Sequence, residues 1–261
     1  MTGSYADFKK RILILTEIDL DGYKESQMKR RIDALIERSG ALSYEEYCGL
    51  LISDKKRFEE FVNFITINVS EFWRNPEQWQ ILEEKILPEF AGKGNVKIWS
   101  AACSTGDEAY SLSMLFMKHN EIENFSVLAS DIDKNVLKTA KKGIYGIRNL
   151  GGLPEEYLKR YFSRVEEDSY CISEEVKKNV IFRCQDLLKS EYPAGCDLIV
   201  CRNVLIYFTE EAQKNIYRGF NNSLKTGGFL FLGNTEQILE PAEFGFQPVS
   251  SFFYEKVSNL Y

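Results

Sequence analysis

Residues 96–118, VKIWSAACSTGDEAYSLSMLFMK, pass from a short apolar run through a loop of small residues into a helical run. The run Val96–Trp99 is continuously apolar, which is typical of a strand that is buried on both faces of a parallel sheet. The run Asp107–Lys118 is predicted to form the following helix. A strand that leads through a tight loop into a helix is the repeating unit of α/β sheets.

The alternation of buried strands with helices continues toward the end of the chain. Four further apolar runs are predicted to be parallel strands: Ser126–Ala129, Val180–Cys184, Leu198–Cys201 and Phe229–Leu232. Helices are predicted over Lys134–Lys141 and Glu210–Leu224, the second ended by Gly227-Gly228. The tail Phe246–Val257 is predicted to close the sheet as an antiparallel edge strand. The pattern predicts a doubly wound α/β sheet.

Residues 1–70 are predicted to be all-helical, because apolar residues recur there at helical spacing. Phe8 and Ile12 begin one such stripe, and later stripes repeat it. Ser43, with Glu46 three residues later, forms the sequence pattern of a capping box for a further helix. We therefore predict a small helical N-terminal domain over this region.

The other boundaries follow from changes in these patterns. Residues 71–94 are predicted to be a linker or helix, and residues 95–261 the sheet domain. Residues 143–180 interrupt the alternation with a helix near Pro154–Phe162 and a β-like stretch at Tyr170–Ile172. They are predicted to form a small β-containing insert on the sheet domain.

Composition indicates an ordinary globular protein. Hydrophobic residues make up 44% and charged residues 28% of the 261 residues, and the formal net charge is −6. The chain lacks the basic field that nucleic-acid binders usually carry, so we expect no nucleic acid as a partner. No apolar run approaches the ~18 residues of a membrane span, and Met1–Tyr5 does not begin a signal peptide. We expect a soluble, cytoplasmic protein that does not insert into a membrane.

Cysteine and histidine usage excludes several kinds of site. The six cysteines form no CxxC pair, which argues against a zinc ribbon or a thioredoxin-like redox site. His119 is the one histidine in the sequence, so a His-rich metal site is excluded, and Ser–His or Cys–His catalysis would depend on this residue. We expect no metal ion.

Ligands of an open parallel sheet bind beyond the carboxyl ends of its strands. The loop Ser100–Gly106 has small side chains and one glycine, so it lacks the GxGxxG pattern of dinucleotide-binding sheets. Asp107 and Glu108 begin the next helix. Acids at this position disfavour a pyrophosphate and favour a cation, so we predict that Glu108 binds an ammonium or sulfonium group. Plain capping by the two acids is the alternative.

Asp131 follows the second predicted strand, 25 residues beyond Gly106. An acid at about this distance binds ribose hydroxyls in such folds, because a carboxylate accepts two hydrogen bonds from a diol. The alternative is that Asp131 caps the helix at Lys134, but Asp133 fits that position better. We therefore predict that Asp131 binds a ribose.

Two polar pairs follow the next two strands. Asp186 would contact an adenine amino group while Leu187 covers the ring, and Arg202 with Asn203 is expected to line the ligand crevice. Together, these positions suggest an adenosine ligand with a positive, amino-acid-like end, as in S-adenosylmethionine. A nicotinamide dinucleotide is the competing ligand, and it would need the missing glycines.

Five motifs, in order, resemble those of the CheR family of chemotaxis receptor methyltransferases, and the resemblance covers nearly the whole chain. The motifs are Asn68–Arg74 (NVSEFWR), Ile98–Ser113 (IWSAACSTGDEAYSLS), Ala129–Asp133 (ASDID), Asp197–Phe208 (DLIVCRNVLIYF) and Gly227–Gly233 (GGFLFLG). The resemblance implies a Rossmann-like class I methyltransferase sheet with a helical N-terminal domain and a β-containing insert. It also implies that receptor glutamates become methyl esters, with S-adenosyl-L-methionine as cofactor and S-adenosyl-L-homocysteine as product.

The resemblance further implies roles for individual residues. The cofactor-binding set comprises Asn68, Ser70, Arg74, Glu108, Asp131, Asp186, Leu187, Arg202 and Asn203. Arg74 and Tyr207 are predicted to be catalytic: Arg74 would hold the acceptor carboxylate, since its planar fork matches that geometry, and Tyr207 would orient groups near the methyl. Three positions depart from the family pattern: Ser70 replaces the commoner Thr, Asp107 replaces Glu, and Ala109 replaces Pro.

The receptors implied by the resemblance are the expected partners. Some members bind a receptor pentapeptide through a glycine-containing loop of the insert, but the matching stretch Arg164–Tyr170 has no glycine, so we expect direct engagement of the receptor helices. Lys24, Arg31 and Arg38 are spaced by seven on one predicted helix, and we predict that they dock the acidic substrate helix. A solvated helix face is the alternative. We expect a monomer.

Two rival functions remain open at this point. The first is a methyltransferase of the same fold that acts on another acceptor, such as a small carboxylate. The second is a non-catalytic module that binds the cofactor or its product as a sensor, although such a module would be expected to lack Arg74 or Tyr207. A glutamate acceptor is ionised at neutral pH and needs no general base, in agreement with a chain that has one histidine.

Overall fold

The computed structural model describes residues 4–259. The helices in this range are α1 (Tyr5–Thr16), α2 (Glu25–Ser39), α3 (Tyr44–Ser53), α4 (Lys55–Thr66), α5 (Pro76–Ile81), α6 (Asp107–Lys118), α7 (Lys134–Lys142), α8 (Glu155–Tyr161), α9 (Glu174–Lys177) and α10 (Glu210–Ser223). The strands are β1 (Val96–Ala101), β2 (Phe125–Asp131), β3 (Ile144–Gly146), β4 (Phe162–Glu166), β5 (Ser169–Ile172), β6 (Val180–Cys184), β7 (Cys196–Cys201), β8 (Leu224–Leu232), β9 (Phe246–Ser250) and β10 (Phe253–Lys256). The first three residues of Met1–Tyr5, the stretch tested above for a signal peptide, lie outside the described residues.

The chain divides into two compact units. One, the helical unit, comprises Met1–Asn68 with Leu205–Asn215. The other, the sheet unit, comprises Val69–Val204 with Ile216–Tyr261. Among the described residues, no helix is both long and apolar enough to cross a membrane.

The apolar stripes predicted for the N-terminal region form the core of the helical unit. The residues of these stripes that are at most 3% exposed include Phe8, Ile12, Met28, Ile32, Phe61 and Ile65. The capping box is also present, because the N–H of Glu46 donates to Ser43 Oγ at 3.0 Å. The Glu46 carboxylate accepts from the N–H of Leu42 at 2.8 Å, one residue before the N-cap.

The segment Leu205–Asn215 was placed in the sheet domain from its sequence, but its backbone bonds to the first helices. The N–H of Lys24 donates to the carbonyl oxygen of Tyr207 at 2.8 Å, and the N–H of Thr209 donates to that of Gly22 at 2.9 Å. These bonds join residues far apart in the chain, so periodicity alone does not reveal them.

The main sheet has seven strands among the described residues, in the order β6-β2-β1-β7-β8-β10-β9. The five predicted strands are parallel to one another, and β10 pairs antiparallel with both β8 and β9. Strand order runs outward from β1 through β2 to β6 and then returns to β7. The reversal therefore lies between β1 and β7, where open α/β sheets form their ligand crevice.

The C-terminal tail contains two strands where one was predicted, because the chain reverses at Phe252, whose φ is +65°. The prediction that Gly227-Gly228 ends the preceding helix was wrong. The helix α10 ends at Ser223, and both glycines lie inside β8. A side chain at Gly228 would lie 2.9–3.2 Å from three carbonyl oxygens, so glycine permits the irregular pairing of β8 with β7 at this point.

The insert is a small antiparallel sheet of three strands within the described residues, in the order β3-β5-β4. It is flanked by α8 and α9. The predicted helix and the predicted strand at Tyr170–Ile172 are both present. Residues 71–94 are mostly helical: α5 continues through a π-helical turn at Leu82–Ile86 and a 3-10 turn at Leu87–Phe90.

Lys256, on β10, is 3% exposed, and its ammonium caps the last turn of α10. Its Nζ donates to the carbonyl oxygens of Asn221 at 2.7 Å and Leu224 at 2.9 Å. The cation also faces the negative end of the helix dipole. This side chain therefore fastens the antiparallel tail to the helix before β8.

We expect Lys256→Met to lower the free energy of unfolding by about 2–4 kcal/mol, because two buried carbonyl oxygens lose a charged donor. Urea denaturation of the purified protein measures this loss. The matched control is Lys214→Met, at an exposed position of the same helix, with an expected change below about 0.5 kcal/mol. Equal losses in the two variants would contradict the capping role.

Candidate active site

Most of the predicted site residues lie in the sheet unit, at or near the carboxyl ends of the parallel strands. Glu108 follows β1, Asp131 ends β2, and the pairs Asp186-Leu187 and Arg202-Asn203 follow β6 and β7. Ser70 and Arg74 also belong to the sheet unit, in the segment before α5.

Asn68 and Tyr207 belong to the helical unit. Asn68 Nδ2 donates to Asn63 Oδ1 and to Thr66 Oγ1, at 2.8 Å in each case. Tyr207 lies in a 3-10 turn over Leu205–Tyr207. The sequence placed both residues with the cofactor site, and this assignment stays a prediction.

The backbone of the sheet unit is unusual around these residues. Five of its non-glycine residues have φ between +49° and +64°: Trp73, Asn75, Ala102, Ser104 and Asn203. L-residues enter this region at a cost of about 1 kcal/mol or more, and such positions concentrate at functional sites. Here they lie on either side of Arg74, in the loop after β1, and in the turn after β7.

Arg202 holds this region together. Its side chain is 2% exposed, and Nη2 donates to the carbonyl oxygen of Arg74 at 2.7 Å, to Asn75 Oδ1 at 3.1 Å and to Gln78 Oε1 at 2.7 Å. The guanidinium lies 4.8 Å from the ring centre of Phe231. Asn75 and Gln78 are not predicted as site residues from the sequence, because nothing in their local pattern indicates a partner so distant in the chain.

Glu108 lies beside this arginine, and its side chain is 13% exposed. Its Oε2 lies 3.5 Å from Arg202 Nη1, and its Oε1 accepts from the hydroxyl of Ser100 at 2.8 Å. Burial raises the pKa of Glu108, and Arg202 opposes that rise. Glu108 therefore has a cationic partner of its own, beyond the plain helix capping that was its alternative role.

Glu236 is a second buried acid at this edge, and the sequence analysis missed it. Its Oε2 accepts from the N–H of Asn203 at 2.6 Å and from that of Gly233 at 2.9 Å. A side chain at Gly233 would lie 2.5 Å from that oxygen, so only glycine permits the approach. With both acids ionised, Glu108, Glu236 and Arg202 carry a net charge of −1, which suits a cationic ligand group.

Asp131 accepts two backbone hydrogen bonds, from the N–H of Ser104 at 2.8 Å and from that of Asp133 at 2.9 Å. These bonds use one carboxylate oxygen each, and a carboxylate offers about four lone-pair sites, so acceptor capacity remains for a diol. The helix α7 is capped by Asp133, whose Oδ1 accepts from the N–H of Asn135 at 2.7 Å. The capping alternative for Asp131 is therefore wrong.

Of the buried side-chain oxygens that have no hydrogen-bond partner within residues 4–259, three lie just beyond strands of the main sheet: Ser104 Oγ, Gln185 Oε1 and Asn203 Oδ1. They follow β1, β6 and β7, so the unused acceptors are spread along the strand ends where an adenosine ligand would lie. Buried polar atoms without partners are rare in proteins and call for an explanation. Together with Glu108 and Asp131, they make the edge a good chemical fit for S-adenosylmethionine.

Asp186 and Leu187 lie in a tight turn after β6. Asp186 Oδ1 accepts from the N–H of Leu188 at 2.8 Å, and Leu187 is 9% exposed. Arg74 is half-buried, and its Nη1 lies 3.4 Å from the carbonyl oxygen of Val69 in the same segment. This long hydrogen bond leaves most of the guanidinium's donor capacity for an anion.

The three predicted docking residues lie on or beside α2, in the helical unit. Lys24 precedes the first turn of the helix. Arg31 Nη2 donates to the carbonyl oxygen of Phe64 at 2.7 Å, and the guanidinium groups of Arg31 and Arg38 lie 4.6 Å and 5.3 Å from the Phe64 ring centre. Arg31 thus has a structural role in joining α2 to α4.

Two family models match nearly the whole described range. The family model "CheR methyltransferase, SAM binding domain" matches residues 68–253, and "CheR methyltransferase, all-alpha domain" matches residues 4–66. The "Chemotaxis protein methyltransferase" of Listeria monocytogenes is 41% identical over 96% of this chain and 98% of its own length. A protein of the same name from Borreliella burgdorferi is 34% identical over 85% of this chain and 83% of its own length. "Chemotaxis protein methyltransferase 1" of Pseudomonas aeruginosa is 33% identical over 91% and 92%.

Burial raises the pKa of Asp131 to about 6, so its ionised form is lost on mild acidification. If the carboxylate accepts from a ribose diol, ligand binding favours the ionised form and affinity must fall as the pH drops through about 6. We expect the dissociation constant of S-adenosylhomocysteine to rise roughly threefold to tenfold between about pH 7 and pH 5. Calorimetric titration across this range measures it.

In Asp131→Asn, affinity should be weaker at every pH and the inflection near pH 6 should vanish. The exposed Asp168→Asn should keep the wild-type profile. An inflection that persists in Asp131→Asn would show that another group titrates.

Proposed function

Because this chain belongs to the CheR methyltransferase family, we propose that it transfers a methyl group from S-adenosylmethionine to glutamate side chains of chemotaxis receptors. The products are glutamate methyl esters and S-adenosylhomocysteine. The observation that carries the proposal is the pair of acids Glu108, whose side chain is 13% exposed, and Asp131, which is buried. They lie beyond the neighbouring strands β1 and β2, beside the switch point of the sheet. One suits the ammonium end of the cofactor and the other its ribose.

The chemistry needs little from the protein beyond placement. When bound, S-adenosylmethionine supplies a methyl carbon on a sulfonium, which leaves as a neutral thioether. The acceptor carboxylate has a reference pKa near ~4.3, so it is ionised without a general base. Alignment of acceptor and methyl in one site can supply up to about 7–11 kcal/mol of barrier reduction.

Arg74 is the residue that we propose for the acceptor. Its guanidinium has one long hydrogen bond among the described residues, and a planar fork can take a carboxylate through two parallel bonds. Tyr207 is proposed to orient groups near the methyl, and Asn68 and Ser70 to act with Arg74 in closing over the cofactor. These roles come from the motif match.

We expect Arg74→Ala to lower turnover by at least about 100-fold while the affinity for S-adenosylhomocysteine stays within a few fold, since a contact with the acceptor acts mostly in the transition state. Tritiated methyl transfer to receptor-containing membranes measures turnover. Arg218→Ala, at an exposed arginine of α10, is the matched control.

The chemical stability of the label decides the acceptor. Label that is released by mild base is a methyl ester, as expected for glutamate. Base-stable label, or transfer to small carboxylates in place of receptors, would overturn the receptor assignment. Tight binding of the product without any transfer would indicate a sensor.

We further propose that the helical N-terminal region, predicted over residues 1–70, docks the receptor through the basic side of α2. Because Arg31 also bonds to Phe64, its reversal would disturb the fold, so Lys24 and Arg38 are the useful probes. The turn at Glu167-Asp168, between β4 and β5, contains no glycine and is fastened by bonds from Arg164. This supports docking that does not depend on the pentapeptide.

The double variant Lys24→Glu with Arg38→Glu should slow receptor methylation several-fold at low salt, and the difference should shrink at high salt as screening increases. Affinity for S-adenosylhomocysteine should not change. Lys138→Glu with Lys141→Glu, on exposed positions of α7, makes the same charge change in the sheet unit. Equal rates of the docking variant and the wild type at low salt would refute the docking role.

A further inference from the structure

Asn149, in the insert, bonds both to the segment before Arg74 and to the first residue of α6. Its Nδ2 donates to the carbonyl oxygen of Ser70 at 3.4 Å and to Asp107 Oδ1 at 3.2 Å. Its own carbonyl oxygen accepts from the N–H of Phe72 at 2.9 Å. One residue of the insert thus joins two parts of the candidate site that are far apart in the chain.

Asp107 is the common acceptor in this network. It is fully buried, the hydroxyl of Thr105 donates to its Oδ2 at 2.5 Å, and the hydroxyl of Ser70 also hydrogen-bonds to it. Cys103 and Tyr145 both interact with it electrostatically, and burial raises the pKa of both, so both are neutral at pH 7. The charge of this carboxylate is met by hydrogen-bond donors on three different segments.

Apolar contacts reinforce the same junction. The ring of Phe72 meets those of Tyr145 and Phe162 edge-on, with centroids 4.7 Å and 5.3 Å apart. A side chain at Gly152 would lie 2.8 Å from the carbonyl oxygen of Phe72, so the insert approaches the segment as closely as glycine allows. The insert therefore forms one packed body with the residues that precede Arg74.

We propose that Asn149 and Asp107 are positioning residues for methyl transfer, because their hydrogen bond fixes the direction in which Arg74 presents its guanidinium. Trp73 and Asn75, on either side of Arg74, are both left-handed, so that direction depends on the backbone being held from outside. The inference rests on the proposed function, since it is the acceptor carboxylate that Arg74 must meet.

The donor–acceptor match between the two side chains permits a test by exchange. Asn149→Asp sets a second carboxylate against Asp107 and removes the donor that holds Ser70. Adding Asp107→Asn to that variant again pairs an amide with a carboxylate. The amide donor is then at position 107 and the carboxylate acceptor at position 149. Asp107→Asn alone keeps one oxygen that can accept from the amide of Asn149, so this variant should lower kcat only slightly.

The full chain is assayed for tritiated methyl transfer to receptor-containing membranes at saturating S-adenosylmethionine. We expect Asn149→Asp to lower kcat about 10- to 100-fold with KM for S-adenosylmethionine within a few fold. The double variant should recover at least about tenfold of that loss. Asn222→Asp, at an exposed position of α10, should match the wild type.

The pH profile supplies a readout that general destabilisation would not move. Two carboxylates in one buried site raise the pKa of one of them, so protonation at mildly acidic pH restores a donor. The kcat of Asn149→Asp should therefore rise relative to the wild type between about pH 8 and pH 6.5. If the ratio of the two kcat values does not change with pH, the proposal is overturned. It is also overturned if the fold-loss of kcat in the double variant equals the product of the fold-losses in the two single variants.

Amide hydrogen exchange over residues 70–75 separates this inference from the proposed function. Exchange in this segment should be faster in Asn149→Asp and return toward the wild-type rate in the double variant. If the wild type transfers no methyl, the proposed function fails and the exchange measurement decides the positioning role by itself. Unchanged exchange in Asn149→Asp overturns that role whether or not the wild type is active.

Discussion

The buried guanidinium of Arg202 is the interaction on which the geometry of the site depends. A charge removed from water needs hydrogen bonds and a counter-charge around it, and loss of one partner leaves a penalty of several kcal/mol. Arg202 finds these partners in the segment Arg74–Gln78 and in Glu108. The end of β7, the start of α5 and the start of α6 are therefore held in one arrangement by a single side chain. Any ligand at this edge meets acids and acceptors that are already in place.

The net charge around Arg202, more than the fold itself, explains why this sheet would bind a cationic cofactor. Parallel sheets with a glycine loop usually bring a helix N-terminus to a phosphate. Here Asp107 and Glu108 occupy that N-terminus, and Glu236 is a further buried acid whose charge is felt by Glu108. A pyrophosphate would meet net negative charge at the place where it would otherwise be stabilised. The same negative charge attracts a sulfonium nucleoside with an ammonium group. The sheet architecture therefore selects a cationic cofactor here.

Sequence reasoning succeeded where a property is local. The buried strands are continuous apolar runs, and Asp133 could be identified as an N-cap from its position relative to α7 alone. It failed where a residue acts across the chain, since Gln78 meets Arg202 over a separation of 124 residues. Gly227-Gly228 was assigned to a helix end because glycine has that role often, whereas the reason here is close approach of β8 to β7. The same limit applies to the turn around Tyr207, which was assigned to the sheet domain because its motif follows a strand.

The candidate site also lowers the stability of the fold. Burial raises the pKa of Glu108, Asp107 and Asp131, which means that ionising each of them costs more in the folded protein than in the unfolded chain. A carboxyl whose pKa is raised on folding contributes more stability as the pH falls, so these acids weaken the fold most where the enzyme must work. A cationic ligand group that pairs with Glu108 relieves part of that cost, so the ligand must stabilise the folded state through linkage. The unpaired oxygens and left-handed residues at the strand ends add to the cost, and all of them lie where ligand contacts can offset it.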